Sequence, residues 1–178
     1  MSRQADLLDL VSDEAPLCVG CGLCCDGTIF EHAVVTPGEE PRLLAHGMKL
    51  AVRKERTVFL QPCRYASCGH CLNYEDRFDI CRSFRCELLK RYESGEIDPS
   101  EARATIHEAL ELVSKVRADE PAAARFRERR SARRDLAGRL PSASGEERPT
   151  LARRLLNIIS LDTFLDTHFR RKKQTAEQ

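Results

Sequence analysis

The sequence predicts a mainly α protein with little β structure, in which an irregular cysteine-rich module precedes a small helical bundle. Two observations favour this fold class. All nine cysteines lie between residues 18 and 86, and apolar residues recur at helical spacing from residue 80 onward. A chain of 178 residues with 42% hydrophobic content is too short for two full apolar cores. We therefore expect a cysteine-cluster module over residues 1–95 and a helical region over residues 96–178 that packs on it.

The module is predicted to contain only short elements. Along the chain we expect a helix over residues 5–11, a strand over 28–35, a helix over 39–46 and a strand over 57–60. The first strand ends at the turn signal Thr36-Pro37-Gly38. Residues 61–79 are rich in cysteines and turn formers, a composition that a bound metal ion can organise and an apolar core cannot.

The helical region has clear start signals. One helix is expected to follow Asp79 as its N-cap and to carry both Cys81 and Cys86. The next begins at Asp98-Pro99-Ser100-Glu101, which supplies an N-cap, a proline at the first helical position and a capping-box glutamate. Its predicted apolar stripe consists of Ala102, Ile106, Ala109, Leu110, Val113 and Val116. Further along we expect a basic helix over about 121–140, a linker over 141–149, and a C-terminal helix over 150–170 that breaks near Ser160.

The chain is expected to be cytoplasmic. Its N-terminal segment has acidic residues inside its only apolar stretch, unlike a secretory signal, and nowhere do 18 apolar residues run together as a membrane span requires. Because cytosolic thiols are kept reduced, the cysteines are not expected to form disulfides. Their odd number and tight spacing instead predict thiolate ligation of metal.

Eight of the nine cysteines are predicted metal ligands, enough to fill two four-coordinate sites. The predicted ligands are Cys18, Cys21, Cys24, Cys25, Cys63, Cys71, Cys81 and Cys86. Two-residue spacers in the first group let thiolates converge on one ion, whereas the adjacent pair Cys24-Cys25 points in different directions, which favours two ions or a cluster plus an ion. Cys68 is predicted to be the one cysteine that is not a metal ligand. His70 is a weaker candidate ligand, because a lone loop histidine is usually solvated.

Zinc is the favoured cofactor, held in closed thiolate sites that supply folding energy to a segment without its own core. The alternative is iron or a 4Fe-4S cluster with a redox or sensing role, because Cys-x2-Cys-x2-Cys with a distant fourth cysteine is similar to ferredoxin spacing. A thiol-redox enzyme is a further alternative, since Cys81 lies near a predicted helix start between basic residues and is expected to have a lowered pKa. The sequence does not decide whether the chain is an enzyme.

The order of the cysteine motifs resembles that of a known family. Cys18-Val-Gly-Cys21-Gly-Leu-Cys24-Cys25 is followed by Pro62-Cys63, Cys71-Leu-Asn-Tyr74, Arg77 and Cys81-Arg-Ser-Phe84-Arg-Cys86. Residues 18–86 thus resemble the CxxCxxCC cysteine-cluster family, the YkgJ type of zinc- or iron-chelating proteins, although Phe78 stands where that family usually has a proline. The resemblance covers somewhat under half of the chain and implies binding of zinc or iron. In one similar branch, the flagellin lysine methylases, the cluster is linked to methyl transfer from S-adenosylmethionine, but this chain has no glycine-rich nucleotide loop after a strand.

The charge distribution bears on other partners. A formal net charge of +1 gives the whole chain no electrostatic preference for nucleic acid or membranes. Residues 123–139 are locally basic, with Arg125, Arg127, Arg129, Arg130, Arg133, Arg134 and Arg139. We interpret them as a solvated helix face rather than a nucleic-acid site, because no aromatic residue beyond Phe126 interleaves them. The apolar stripes of the helical half are a candidate surface for a protein partner.

Overall fold

The computed structural model of the chain describes residues 17–67 and 69–170. The described part is 54% helical and 10% strand, which confirms the predicted mainly α fold class with little β structure. The helix predicted over residues 5–11 lies outside the described residues. Within them, no helix is long and apolar enough to cross a membrane.

The chain divides into two compact units. The first consists of Met1–Phe84 together with Arg125–Glu128, and the second of Arg85–Ala124 together with Arg129–Gln178. The first unit is therefore discontinuous in sequence, and it contains all but one of the described cysteines.

The first unit is built on a three-stranded antiparallel sheet in the order β1-β3-β2. The strands are β1 (His32–Val34), β2 (Leu50–Arg53) and β3 (Arg56–Leu60), and helix α1 (Glu40–Ala45) lies between β1 and β2 in sequence. The predicted strand over residues 28–35 and helix over 39–46 are confirmed as the shorter elements β1 and α1. The strand predicted over 57–60 is confirmed as β3, which begins one residue earlier. A small apolar core lies beside this sheet and consists of Val35, Leu43, Met48, Phe59 and Phe78.

Strand β2 was not predicted. It pairs with β3 in a hairpin that aligns Leu50 with Phe59 and Arg53 with Arg56. The two-residue turn Lys54-Glu55 has φ values of 46° and 63°. Such a turn needs positive φ at both positions and usually carries Asn-Gly, so the lysine and glutamate concealed it.

The cysteine-rich segment after β3 forms a second, two-stranded sheet from β4 (Ala66–Ser67) and β5 (His70–Cys71). Its antiparallel register aligns Ala66 with Cys71 and Ser67 with His70. A short helix, α2 (Asp79–Ser83), follows and carries Cys81. The rest of this segment consists mainly of turns, as its composition predicted.

The prediction that Cys81 and Cys86 lie on one helix is wrong. The backbone is extended at Phe84 (ψ 133°) and at Cys86 (ψ 165°), so α2 ends and a separate helix, α3 (Glu87–Glu93), begins. Cys86 is the N-cap of α3, and its sulfur accepts a hydrogen bond from the Leu89 N–H at 3.5 Å. The apolar periodicity continues across the break, which concealed the change of backbone direction.

The second unit contains α3, α4 (Pro99–Asp119), most of α5 (Phe126–Arg139) and α6 (Glu147–His168). Helix α4 begins as predicted, because the Asp98 carboxylate accepts from the Glu101 N–H at 2.8 Å. All six residues of its predicted stripe are buried, and α4 packs against α6. Helix α6 continues through the exposed Ser160, so the predicted break is wrong. It also begins at Glu147, which makes the connection from α5 shorter than the predicted linker.

Candidate metal centre

Thiols from four separate segments of the first unit lie near one another. Ionisation of the Cys25 thiol is opposed first by burial and then, in decreasing order, by negative charge on Cys81, Cys63, Cys71 and Cys18. Cys18 and Cys25 belong to the turn-rich loop 17–28, Cys63 lies between β3 and β4, Cys71 in β5 and Cys81 in α2. Five of the predicted ligands, far apart in sequence, are thus brought into one neighbourhood.

Backbone contacts hold this loop against the cysteine-rich hairpin. The Cys63 N–H donates to the Cys25 carbonyl at 2.8 Å, and the Gly20 N–H donates to the Gly69 carbonyl at 3.2 Å. A Cβ atom on Gly22 would lie 2.6 Å from the Gly69 Cα, and φ is +64° at Gly22 and +83° at Gly69. The close approach therefore requires glycine at both positions, because a side chain would collide with backbone and strain φ.

The buried thiols resist ionisation. Burial, followed by the charges of neighbouring cysteines, raises the pKa of Cys25 and of Cys81 to about 12 from the ordinary 9.0. Burial also raises the pKa of Cys63, although the backbone N–H groups of Tyr65 and Ala66 hydrogen-bond to its sulfur and lower it. Without a cation these thiols are protonated at neutral pH. The lowered pKa predicted for Cys81 is wrong, since desolvation outweighs the basic residues around it.

The described side chains do not form a ready-made metal site. Among the side chains of residues 17–67 and 69–170, no group of three or more histidines, cysteines, aspartates and glutamates is arranged to hold a metal ion. None of the eight described cysteines is in a disulfide. The thiols of these residues therefore share a neighbourhood without surrounding an ion.

The remaining predicted ligands differ in their surroundings. Cys21 and Cys24 are half-buried in the same loop as Cys18, which is exposed. Cys86 belongs to the second unit as the N-cap of α3. His70 is half-buried in β5. Cys68 lies outside the described residues, so its predicted role as the spare cysteine stays a prediction.

One carboxylate in this neighbourhood was not singled out by the sequence. Glu39 is only 5% exposed, and its Oε1 atom accepts from the Asp79 N–H at 2.6 Å and lies 3.4 Å from the Arg42 Nη1 atom. Its charge is among the causes that raise the pKa of Cys81. Glu39 is the N-cap residue of the short helix α1, and its Asp79 partner is 40 residues away in sequence. No local pattern could therefore have indicated its burial.

The interpretation of the basic stretch as a solvated face is wrong for Arg129. This side chain is fully buried in the second unit, where Nε donates to the Asp162 carboxylate at 2.9 Å and Nη1 to the Ala124 carbonyl at 2.6 Å. Burial lowers the pKa of Arg129, and the Asp162 charge opposes that shift. The other six arginines of the stretch are exposed, as predicted. Two of them, Arg125 and Arg127, line a cavity of about 210 Å³ whose wall also carries glutamates.

Comparisons with family models, with curated proteins and with solved structures found no match for this chain. The likeness of residues 18–86 to the CxxCxxCC family stays a prediction made from the order of its motifs.

Proposed function

We propose that the first unit binds a transition-metal ion, preferably zinc, through its cysteine thiolates. The observation that carries this proposal is the gathering of Cys18, Cys25, Cys63, Cys71 and Cys81 from four segments into one electrostatic neighbourhood. Isolated buried cysteines are common in proteins, but a buried thiol whose ionisation is opposed by four other cysteines from separate segments is typical of a shared site.

The ionisation of the thiols supports a cation at this position. Each thiolate formed here would be poorly solvated and would repel the others, which is why the pKa of Cys25 and Cys81 rises to about 12. A bound divalent cation reverses both effects, because it replaces solvation and attracts every thiolate. The N–H groups of Tyr65 and Ala66 that bond to the Cys63 sulfur are the kind of outer partner that stabilises a ligating thiolate.

The packing of the thiols in the first unit supports the same proposal. Cys63 and Cys81 pack against the cluster of five buried apolar residues beside the sheet. A metal ion bound there would tie the cysteine-rich segment to that cluster and so supply folding free energy.

Zinc is preferred because closed thiolate sites suit its tetrahedral coordination and need no redox partner. Iron or a 4Fe-4S cluster is the alternative, since four cysteinates also hold such a cluster. The eight predicted ligands would accommodate two ions, or a cluster plus an ion, and His70 stays a weaker candidate.

Element-resolved metal analysis tests the proposal. The full chain is purified without oxygen and without a metal-binding tag, and metal and acid-labile sulfide are measured per chain. We expect at least one zinc per chain and its loss in Cys25→Ala, whereas Ser83→Ala, a change at the surface end of α2, should retain it. Iron with matching sulfide would select the cluster alternative. A folded wild-type chain that binds neither metal after reconstitution refutes the proposal.

A further inference from the structure

We propose that a cavity in the first unit binds a small organic phosphate, a phosphate monoester that also carries an amine. The cavity has a volume of about 210 Å³ and is lined by residues of the first unit, among them Arg53, Arg125 and Arg127. We call it the arginine cavity. Binding there needs no metal on the cysteines, so this inference goes beyond the proposed function.

The wall of the arginine cavity carries more positive than negative charge. The guanidiniums of Arg53, Arg125 and Arg127 share it with the carboxylates of Glu31 and Glu128. Among the described residues, neither Arg125 nor Arg127 makes a side-chain hydrogen bond or an ion pair. The Arg53 guanidinium donates only to the carbonyl of the preceding residue, at 3.5 Å. Three cations thus line one cavity without ion pairs of their own, an arrangement that favours an anionic ligand.

The segment 125–128 is held in place at the cavity wall. The Phe126 N–H donates to the carbonyl of Gly27 at 2.8 Å, and Gly27 itself lines the cavity. Nη1 of the buried Arg129 donates to the Ala124 carbonyl at 2.6 Å, which joins the residues that flank the segment. The backbone of the segment is therefore fixed before a ligand arrives, and only the side chains of its two arginines must be ordered.

The stability of α5 does not explain these arginines. Arg127 lies in the first turn of that helix, where the helix dipole opposes a positive charge. An anion bound in the cavity would offset this cost, because it would neutralise the guanidinium that the dipole disfavours.

The rest of the wall comes from the ends of the sheet strands. The Gln61 N–H donates to the Glu31 carbonyl at 2.9 Å, which ties the residue before β1 to the residue after β3. The Glu31 carboxylate lies 3.4 Å from Nδ1 of His32 and has further acceptor capacity for an ammonium group. The cavity therefore offers donors for an anion and acceptors for an amine.

The number of guanidiniums favours phosphate over carboxylate. A phosphate monoester has three terminal oxygens and a charge of about −1.5 to −2 at pH 7, and each oxygen can accept from an arginine. A carboxylate has two oxygens and is satisfied by one bidentate arginine. The two glutamates repel a bare anion but attract an amine on the same ligand. At roughly 30 Å³ per water, the cavity holds the volume of about seven waters, which suits a ligand the size of O-phosphoethanolamine.

Arg127→Gln and Arg134→Gln separate the cavity from a general attraction of the basic helix for anions. Both residues are exposed arginines of α5, and each change removes one positive charge. Of the two, Arg127 lines the cavity and Arg134 does not. If the basic stretch merely attracted anions, both variants would lose the same affinity.

Isothermal titration calorimetry of the reduced full chain measures binding of O-phosphoethanolamine, inorganic phosphate, ethanolamine and a single-stranded DNA oligonucleotide. We expect saturable binding of O-phosphoethanolamine with a Kd below about 1 mM, weaker binding of phosphate, and none of ethanolamine. The affinity for O-phosphoethanolamine should fall by about tenfold or more in Arg127→Gln and by less than about twofold in Arg134→Gln. Circular dichroism checks that both variants are folded.

Glu31→Gln tests the amine contact. This change removes a charge that attracts the amine and repels the phosphate, so it should weaken binding of O-phosphoethanolamine and strengthen binding of inorganic phosphate. A change in the same direction for both ligands overturns the assignment of an amine to this carboxylate.

The remaining outcomes decide the inference as a whole. It is overturned if the wild type shows no saturable binding of O-phosphoethanolamine, if the two arginine variants lose affinity equally, or if the oligonucleotide binds more tightly. If Arg127→Gln does not fold, Arg125→Gln takes its place, because Arg125 precedes α5 and also lines the cavity. Zinc content is measured on the same samples, so a chain that binds zinc but no organic phosphate keeps the proposed function and loses only this inference.

Discussion

Replacing Gly69 by alanine is the most direct test of how the cysteine loop is held. A Cβ atom at this position would lie 2.4 Å from the Gly20 carbonyl oxygen, and φ is +83°. That oxygen belongs to backbone and cannot swing aside, so the loop must move away from the hairpin. The hydrogen bond from the Gly20 N–H to the Gly69 carbonyl would then be lost as well.

The expected loss of folding stability in Gly69→Ala has two parts. Positive φ costs an alanine about 1–2 kcal/mol anywhere in the chain. Separating loop from hairpin adds about 2–4 kcal/mol, from overpacking and one lost backbone hydrogen bond. Gly38→Ala isolates the first part, because Gly38 has φ +89° but no atom within 4 Å of its would-be Cβ.

Equilibrium urea unfolding of the metal-free chain measures both variants. We expect Gly69→Ala to be less stable than Gly38→Ala by about 2–4 kcal/mol, the cost of separating the loop from the hairpin. Because the loop must return to the hairpin before zinc is bound, we expect the apparent zinc affinity of Gly69→Ala to fall by about 30- to 1000-fold. Unfolding free energies for the two variants that agree within about 0.5 kcal/mol would refute the reasoning.

Three further predictions concern stability. Asp162→Asn leaves the buried Arg129 charge without its anionic partner and should lower the free energy of urea unfolding by about 3–5 kcal/mol. Replacing both residues by apolar ones should lower it less, and a smaller loss for Asp162→Asn than for the double variant would contradict this. The folded-state pKa of Cys25 and Cys81 is about 12 against 9.0 in the unfolded chain. The free energy of unfolding of the metal-free chain should therefore be highest below pH 9 and should fall between pH 9 and pH 12, by at most about 1.4 kcal/mol per pH unit for each thiol. An unfolding free energy that does not change over this range would contradict the prediction. Asp98→Ala removes the N-cap of α4 and should lower the thermal unfolding midpoint, at a cost of about 1 kcal/mol; an unchanged midpoint would show that the cap contributes nothing.

The helices were predictable where their signals are local. Asp98 and the stripe from Ala102 to Val116 define α4 because capping and burial both act within a few residues along one helix. The same local reasoning placed a false break at Ser160, since an exposed serine in a long helix costs little once the apolar face continues on either side. Strand β2 was missed because Lys54-Glu55 forms its turn, and this pair is not typical of turns with positive φ.

The candidate site was predictable only through its cysteines. Their spacing predicted a shared site, and four of them lie close enough to Cys25 for negative charge on them to oppose its ionisation. Glu39 and Arg129 carried no such signal, because each is buried by partners far along the chain, Asp79 and Asp162 respectively. A charged residue is normally solvated, so its burial can be recognised only when the tertiary fold supplies the partner.

The return of residues 125–128 to the first unit has a consequence for synthesis. The Phe126 N–H donates to the carbonyl of Gly27, in the loop that carries Cys18 and Cys25, at 2.8 Å. The ribosome must therefore make residues 85–124 before this unit can be completed. At about 5–20 residues per second, that interval is roughly 2–8 s, during which the nascent thiols are exposed to whatever metal ions and oxidants surround the emerging chain.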